Sequence, residues 1–513
     1  MTTQTVEERA IAPDQEKTQK IVDHAVEVIK EKLMTSPVYA EVICQQLVKA
    51  VPEYHDGYHL LGLIKQRLQQ YDEGVTIIKR AIELDPENAD NYNNIALCYA
   101  NLGEYDLAIE NLDKAIERKN NYLYYNNLAL QYRQIREYDR AIDLFEKAIE
   151  LNGNQDPQLW NNLGGIYGEL KDLEKAKKCF LRANEIDPTF TASHVDLAFT
   201  YHLQGDWQKG FEEYEWRVEH FKQLDHYKRH YNMSKKWDGQ QSLQDKTVMV
   251  YGEQGLGDVI QFSRYLKQLK GLGASKVILH CPQAVESIMQ RIEGVDETFV
   301  ADITNDKEID MPEYDYQCML MSMPYLLKDY EPTGEPYLKP LATLPLEDYK
   351  DSFNIGIVWA GSPAHPNDGT RSMFLKNLKP LHDLDGVKLF NLQVNYRKRI
   401  YSMGKKIVDL ADGCEDMKIV DMTSMIENFD DTATIISGLD LVIAVDTAII
   451  HLCGALGVPC KVMVPYNPDW RWGLEGSKTC WYDSLELYRQ EDRDSWKDVI
   501  ERVKQDVLLL QNQ

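Results

Sequence analysis

The N-terminal part of the chain repeats itself, and this repeat constrains the fold more than any other feature. Between about Ile21 and His220 the sequence matches itself about every 34 residues. The clearest copy runs from Pro157 to Pro188 and carries Trp160, Leu163, Gly164, Tyr167, Ala176, Phe180 and Ala183. A repeat of this length is one pair of helices that cannot bury its apolar face alone, so neighbouring copies must stack. We therefore predict an α-solenoid.

Three further copies keep the same register. Their matching residues are Tyr125, Leu128, Tyr132, Ala141, Phe145 and Ala148 in one copy, Tyr92, Tyr99, Ala108, Leu112 and Ala115 in another, and Tyr58, Leu61, Gly62, Ile78, Ala81 and Pro86 in the third. Degenerate units are expected at 21–54 and 191–220, where Arg217 replaces the usual small residue. The pattern resembles the tetratricopeptide repeat family, which implies a concave face that holds peptides or protein segments.

Paired asparagines recur at equivalent places on the first helix of successive repeats. They are Asn93-Asn94, Asn126-Asn127 and Asn161-Asn162. One interpretation is that they solvate the inner groove. The other is that they hydrogen-bond the backbone of an extended peptide, and the sequence leaves both open.

Length and charge limit the classes of partner. A chain of 513 residues exceeds what one hydrophobic core organises, so two or three domains are expected. The formal net charge of −25 argues against a broad nucleic-acid footprint or an anionic membrane surface. Any phosphate site must therefore be local.

The N-terminus and the cysteines indicate a cytoplasmic protein. The first residues lack the basic and apolar blocks of a signal peptide, and no apolar run approaches the roughly 18 to 20 residues that span a bilayer. The nine cysteines show neither CxxC pairs nor Cys/His ligand spacing. We expect reduced thiols, no disulfide framework and no metal site.

After a polar, aromatic connector at His226–Asp238, the pattern changes to alternating strands and helices. Strands are predicted at Thr247–Tyr251, Val277–His280, Tyr316–Met321, Ile355–Trp359, Lys388–Leu392, Lys418–Asp421, Leu441–Val445 and Cys460–Pro465, with a terminal helix at about Ser495–Leu510. This alternation predicts parallel sheets in two α/β lobes with a cleft between them. The expected domains are an N-terminal extension at 1–20, a solenoid at 21–225, a first lobe at 245–345 and a second lobe at 350–510.

The segment Asp440–Pro465 points to a ligand most directly. Its apolar run ends at Asp446 and Thr447, and His451 lies one turn into the helix that follows. Such a unit directs backbone N–H groups, a hydroxyl and an imidazole to the mouth of a parallel sheet, where α/β proteins bind phosphorylated ligands. The alternative is an N-capping box and an interior histidine.

Two further segments carry candidate residues. The glycines of Gly255-Leu256-Gly257-Asp258 permit a tight turn and close approach by a ligand, while Asp258 is either a helix cap or a general base. In the loop after the strand at 355–359, Arg371 is a phosphate partner or an ordinary surface arginine. Ser362 is placed to donate to the same phosphate, and His365 is interpreted as a loop residue.

Three motifs together resemble the family 9, heptosyltransferase-like glycosyltransferases. They are GLGDVIQFSRYL, WAGSPAHPNDGTRS and DLVIAVDTAIIHLCGALGVP. The resemblance covers about residues 245 to 510 and implies a GT-B arrangement of two Rossmann-like lobes. It also implies metal-independent, inverting sugar transfer from a nucleotide-diphosphate donor as co-substrate, with no resident cofactor. The first lobe would hold the acceptor and the second lobe the donor.

The resemblance assigns roles to individual residues. Asp258 matches the catalytic base. Asp446, Thr447, Ala448 and His451 match the loop and helix start that hold the donor diphosphate and sugar. Arg371 falls near a phosphate contact that is usually Lys, and Gln393 lies near the nucleoside pocket. Gly255 and Gly257 are counted with the donor-binding residues.

Other interpretations remain open. The α/β half is either an active transferase or a catalytically inactive nucleotide-binding part of a tetratricopeptide scaffold. A protein O-GlcNAc transferase-like enzyme shares the architecture. The solenoid, and the lack of a basic surface for lipid A, favour a protein, peptide or glycan acceptor. Trp470 and Trp472 either stack on a sugar or base or pack within their loop.

Overall fold

The computed structural model describes residues 13–220, 231–301, 309–363, 365, 367–394, 399–400, 407–408, 414 and 416–512. The chain divides into two compact units, one that ends at Ile166 and one that begins at Tyr167. Part of the predicted connector, including His226, lies outside the described residues.

The first unit is built of helices. They are Pro13–Thr35, Pro37–Ala50, His55–Arg67, Tyr71–Leu84, Ala89–Leu102, Tyr105–Arg118, Tyr122–Gln134, Tyr138–Asn152 and the greater part of Pro157–Glu169. The small residues of the repeat, such as Ala108 and Ala141, are 0% exposed. They allow the two helices of each repeat to approach closely, as the spacing predicts. The first helix begins at Pro13, ahead of Ile21 where the repeat register starts.

The asparagines of the first unit bond to one another between repeats. Asn127 donates from Nδ2 to Asn93 Oδ1 over 2.7 Å, and Asn162 donates to Asn126 Oδ1 over 2.9 Å. The paired asparagines therefore form side-chain bonds along the stack of repeats.

The second unit begins with further repeat helices. They are Leu173–Ile186, Thr191–Leu203, Trp207–Tyr214 and Arg217–His220. Val195, Phe211 and Tyr214 from these helices belong to the same buried cluster as Val248 and Val250 of the first sheet. The last helices thus share a hydrophobic core with the α/β region.

The first lobe contains a parallel four-stranded sheet. Its strands are β1 (Thr247–Tyr251), β2 (Lys276–His280), β3 (Glu297–Phe299) and β4 (Tyr316–Met319), in the order β3-β2-β1-β4. The accompanying helices are Leu256–Phe262, Leu266–Gly271, Gln283–Met289 and Met323–Leu327. The helix Leu256–Phe262 follows β1 after a short turn, which places its N-terminus at the carboxyl edge of the sheet.

The second lobe contains a parallel six-stranded sheet. In chain order its strands are β5 (Phe353–Val358), β6 (Val387–Asn391), β9 (Val420–Asp421), β10 (Leu441–Val445), β11 (Cys460–Val464) and β12 (Leu485–Arg489), whereas β7 (Arg399–Ile400) and β8 (Ile407–Val408) pair separately. The sheet order is β12-β11-β10-β5-β6-β9. The helices are Asp368–Arg371, Lys379–His382, Phe429–Ile436, Ala448–Leu456 and Lys497–Gln511.

The predicted parallel α/β character is confirmed, and the two strands of the parallel sheets that were not predicted, β3 and β12, both lie at sheet edges. The short pair β7 and β8 was not predicted either. Every residue of β10 and of β11 is buried, as expected for central parallel strands covered on both faces. The missed strand β3 has only three residues, and β12 contains Glu486 and Arg489. Short, charged edge strands lack the continuous apolar run that marks a central strand.

No helix in the described ranges is both long and apolar enough to cross a membrane. All nine cysteines lie within those ranges and are free thiols; Cys480 is exposed and Cys414 half-buried, while the other seven are buried.

Candidate functional site

A cavity of about 530 Å³ lies at the carboxyl ends of the strands in the second unit. It brings together every residue predicted for the site, namely Gly255, Gly257, Asp258, Ser362, Arg371, Gln393, Asp446, Thr447, Ala448 and His451. His365 lines it as well. These residues come from four segments, after β1, β5, β6 and β10, and the carboxyl ends of parallel strands are where such sheets bind ligands. Their chemical roles remain predictions.

Thr447 lies at the N-terminus of the helix Ala448–Leu456 and does not cap it. Its backbone is extended, with φ of −149°, and its side chain makes no capping hydrogen bond. The buried Oγ1 has no hydrogen-bond partner among the described residues. A buried polar atom without a partner costs about 1–3 kcal/mol, and the first N–H groups of a helix also lack internal partners. This part of the cavity suits an anion that accepts from both.

Arg371 lines the same cavity as this helix terminus. It ends the short helix Asp368–Arg371, and its guanidinium packs so closely on Gly361 that a Cβ there would lie 2.5 Å from Nε. Its side chain is 13% exposed, and Nε is 3.9 Å from Asp368 Oδ1 without making a hydrogen bond in the described part of the chain. Arg371 is therefore a half-buried cation that faces the cavity rather than an ordinary surface arginine.

Asp446 is a half-buried carboxyl group in the same cavity. Loss of hydration and the nearby Asp469 carboxylate raise the pKa of Asp446 to about 6, against the opposing effect of Arg371. At neutral pH the cavity thus holds a carboxylate that takes up a proton readily when more negative charge approaches.

The Asp258 carboxylate has two partners. Oδ2 accepts a hydrogen bond from the Gly255 N–H over 2.8 Å, so Asp258 caps the helix Leu256–Phe262. Oδ1 accepts from Arg471 Nη2. Burial raises the pKa of Asp258 above its usual value, while Arg471 and the Gly255 N–H act in the opposite direction. The capping role is observed, and the side chain also lines the cavity.

Arg471 lies between Trp470 and Trp472 and was not predicted as a site residue. The guanidinium donates from Nε to Gln261 Oε1 over 2.6 Å and from Nη1 to Asp469 Oδ1 over 2.9 Å, in addition to its bond to Asp258. Its side chain is 8% exposed. Arg471 therefore joins the second lobe to the first helix of the first lobe. Neighbouring residues do not reveal this, because Asp258 lies 213 positions away.

His451 is an interior histidine that also borders the cavity. Its Nδ1 lies 3.1 Å from Tyr482 Oη, and its ring stacks on Trp472 with centroids 5.7 Å apart. Burial, with a smaller effect of Arg471, lowers the pKa of His451 well below its usual value. The imidazole is therefore neutral at physiological pH, so it acts through hydrogen bonding rather than charge.

Two of the predicted residues have a clear structural role. The Gln393 Oε1 atom accepts from the Ala360 N–H over 2.9 Å, so this side chain shapes the loop after β5. A Cβ on Gly257 would lie 2.7 Å from His451 Cδ2 and 3.3 Å from Ala448 Cα. Gly257 therefore lets the helices Leu256–Phe262 and Ala448–Leu456 approach closely.

Neither Trp470 nor Trp472 is among the described residues that line the cavity. Trp470 is 5% exposed and stacks on His202 with centroids 4.4 Å apart, and Trp472 is 2% exposed. Of the two interpretations of these side chains, the structure supports packing within the protein.

Comparisons with known proteins bear on the helical part. Models of the tetratricopeptide repeat match residues 55–121, 122–155 and 157–190. Protein FlbA of Caulobacter vibrioides is 23% identical over 291 residues, which are 52% of this chain and 47% of FlbA. The chain thus spans about half the length of that relative.

Solved structures that match part of this chain include MamA, which is 22% identical and matches 33% of this chain and 98% of its own, with a TM-score of 0.29. PilW is 15% identical and matches 40% of this chain and 97% of its own, with a TM-score of 0.37. From the three family models we conclude that residues 55–190 are tetratricopeptide repeats, which a parallel α/β region follows.

Proposed function

We propose that this chain is a glycosyltransferase that moves a sugar from a nucleotide-diphosphate donor to an acceptor hydroxyl. The observation that carries the proposal is the unpartnered Thr447 hydroxyl at the start of the helix Ala448–Leu456, with the Arg371 guanidinium on the same cavity. A buried hydroxyl, free helix N–H groups and an arginine together form a site for a diphosphate. In the GT-B arrangement we propose, residues 350–510 hold the donor and residues 245–345 hold the acceptor.

In the proposed reaction, negative charge develops on the leaving diphosphate. As the bond between the anomeric carbon and the phosphate oxygen breaks, its electron pair leaves with the diphosphate. Thr447, the N–H groups that begin at Ala448 and the Arg371 guanidinium would stabilise that charge. Groups of this chain would supply that stabilisation, without a metal ion or a resident cofactor.

Asp258 is the proposed general base. It would take the proton of the acceptor hydroxyl while the hydroxyl oxygen attacks the anomeric carbon from the face opposite the leaving group, which inverts the configuration. Burial raises the pKa of Asp258, which makes it a stronger base than a solvated carboxylate. Arg471 already occupies Oδ1, so the acceptor would approach the remaining lone pairs of the carboxylate or displace the arginine.

The tetratricopeptide repeats are the proposed binding region for a protein, peptide or glycan acceptor. A protein acceptor would make the chain similar in action to a protein O-GlcNAc transferase. We propose a cytoplasmic location, where the nine free thiols would stay reduced.

The test is direct binding and product analysis with a panel of nucleotide sugars. We expect one donor to bind by calorimetry and to be hydrolysed slowly or transferred to an added acceptor. Arg371→Gln should abolish that binding, while Lys388→Gln, which neutralises an exposed lysine on the neighbouring strand β6, should leave it unchanged. If no member of the panel binds, the transferase proposal is wrong.

A second candidate function is a tetratricopeptide scaffold whose α/β half binds a nucleotide without catalysis. The double engagement of Asp258 by Arg471 and Gly255 favours it, because a committed carboxylate is a poorer base. Donor binding without hydrolysis or transfer, across a range of acceptors, would support the scaffold over the enzyme.

A further inference from the structure

A second cavity, of about 470 Å³, lies on the second unit and shares no lining residue with the first. It is bordered by the turn that contains Lys171, the segment after β11 and the end of β12. Its walls combine apolar and cationic side chains. The apolar residues are Pro465, Pro468, Leu474 and Leu487, and the cations are Lys171, Arg489 and Arg502.

The charge of this second cavity is opposite to that of the chain. Three cations and one acid, Glu491, line it, although the whole chain carries a net charge of −25. Arg502 and Glu491 are 3.9 Å apart and are 43% and 77% exposed, so their attraction is strongly screened. The cavity therefore keeps an excess of positive charge.

Lys171 is the cation best placed to bind a ligand. It lies between two repeat helices with φ of 62°, and its Nζ is 3.6 Å from the centre of the Tyr466 ring. No carboxylate of the described residues pairs with its ammonium group. Burial and the charges of Arg493 and Arg489 lower the pKa of Lys171. This half-buried ammonium group thus lies near other cations and has unused donors.

Arg489 provides fixed positive charge. Its guanidinium donates to the backbone carbonyls of Gly473 and Gly476 over 2.8 Å, to that of Glu475 over 2.9 Å, and to that of Trp472. Carbonyl groups hold the side chain in place, but they do not neutralise it as a carboxylate would. Burial lowers the pKa of Arg489.

Tyr466 adds an aromatic wall that is held by two cations. The Arg493 guanidinium lies 4.4 Å from the centre of its ring, and the Lys171 ammonium group lies 3.6 Å from the same centre. The Tyr466 N–H donates to Gln490 Oε1 over 3.0 Å. A ligand in this cavity would therefore meet an ordered surface rather than a loose loop.

We propose that the cavity of Lys171, Tyr466, Arg489 and Arg502 is a second binding site, for a small organic phosphate. Two negative charges on one group match the excess of cations, and the hydroxyl of Ser477 is a further donor on the wall. The proline and leucine side chains and the Tyr466 ring suit an apolar or planar body attached to that phosphate. The volume is that of a small metabolite rather than of a bare ion.

The position of this site connects it to the first cavity. Pro468 and Leu474 flank the segment Asp469–Trp472, and Arg489 holds the carbonyls that follow it. An occupant would restrain the segment that carries Arg471, the partner of Asp258. Binding at the second site does not depend on the proposed transferase activity.

The test uses phenyl phosphate, measured by calorimetry and by the midpoint of thermal unfolding at constant ionic strength in chloride. The wild-type chain and Arg371→Gln should bind it equally, because Arg371 lies on the other cavity. Lys171→Met should weaken binding about tenfold or more. Lys178→Met removes an exposed lysine from the neighbouring helix and should change nothing.

Thermal unfolding of the ligand-free proteins shows whether a variant that fails to bind is still folded. Lys171→Met should unfold at the same temperature as the wild type or higher, since it removes a cation from a repulsive cluster. Phenyl phosphate should then stabilise the wild type but not this variant. The proposal is wrong if the wild type and Lys171→Met bind phenyl phosphate equally, or if only Arg371→Gln loses binding. It is also wrong if added chloride stabilises the wild type as much as phenyl phosphate does.

Discussion

Arg471 of the second lobe donates a hydrogen bond to Asp258 of the first lobe, at the edge of the main cavity. The same guanidinium contacts Gln261 on the helix that Asp258 caps and Asp469 on its own segment. The proposed general base is thus held from both lobes, and its protonation depends on a cation of the second lobe. Any mechanism that uses Asp258 must include Arg471.

Asp258→Asn should abolish sugar transfer and leave donor binding nearly unchanged. The amide oxygen can still accept the Gly255 N–H, so the helix cap is retained, while the ability to take a proton is lost. We expect a fall in kcat of about 10²- to 10⁴-fold, measured by product formation with saturating donor. Equal losses of kcat and of donor affinity would contradict the role of a base.

Arg471→Gln should move the acid limb of the kcat profile to higher pH. Arg471 lowers the pKa of Asp258, so its removal lets burial raise that pKa further, and the base then loses its proton only at higher pH. Arg471→Lys keeps the charge and should shift the limb less. A profile that is unchanged, or that moves to lower pH, would show that Arg471 does not control Asp258.

Donor affinity should increase as the pH falls from about 7 to about 5. The pKa of Asp446 is raised to about 6, so acidification neutralises this carboxylate and removes repulsion from the donor diphosphate. For the same reason, protonation of Asp446 should stabilise the fold as the pH falls through about 6, since the unfolded carboxyl group titrates near 3.8.

The test of Asp446 is calorimetry with a nucleotide sugar whose diphosphate does not titrate in this range. Asp446→Asn should bind more tightly than the wild type at pH 7 and should show a flat pH profile between those values. If the variant keeps the wild-type pH dependence, another group is responsible.

Thr447→Val should stabilise the free protein or leave its stability unchanged, and it should weaken donor binding about tenfold or more. The reason is that the buried Oγ1 atom has no hydrogen-bond partner in the described chain, so its removal costs nothing until a ligand arrives. Thr447→Ser keeps the hydroxyl and serves as the control. Chemical denaturation and calorimetry on both variants measure the two effects, and a loss of stability without a loss of affinity would assign Thr447 to the fold alone.

Some of the site was predictable because its residues follow strong local patterns. Asp446 and Thr447 end an apolar run, and Gly255 and Asp258 follow another; each such run is a central strand of a parallel sheet. β1 and β10 belong to different sheets, but the segments after their carboxyl ends line the same cavity, so the motifs meet there although they are far apart in the sequence. The edge strands β3 and β12 lack that signal and were missed.

The helical repeats, the parallel α/β region and the segments that line the cavity can be read from the amino-acid sequence, because they follow from the spacing of apolar residues that are close in the chain. The pairing of Arg471 with Asp258, the space that Gly257 leaves for His451 and the contact of Lys171 with the Tyr466 ring become visible only in the folded protein. These contacts join residues far apart in the chain. Their charge, hydration and close packing exist only after folding brings the residues together.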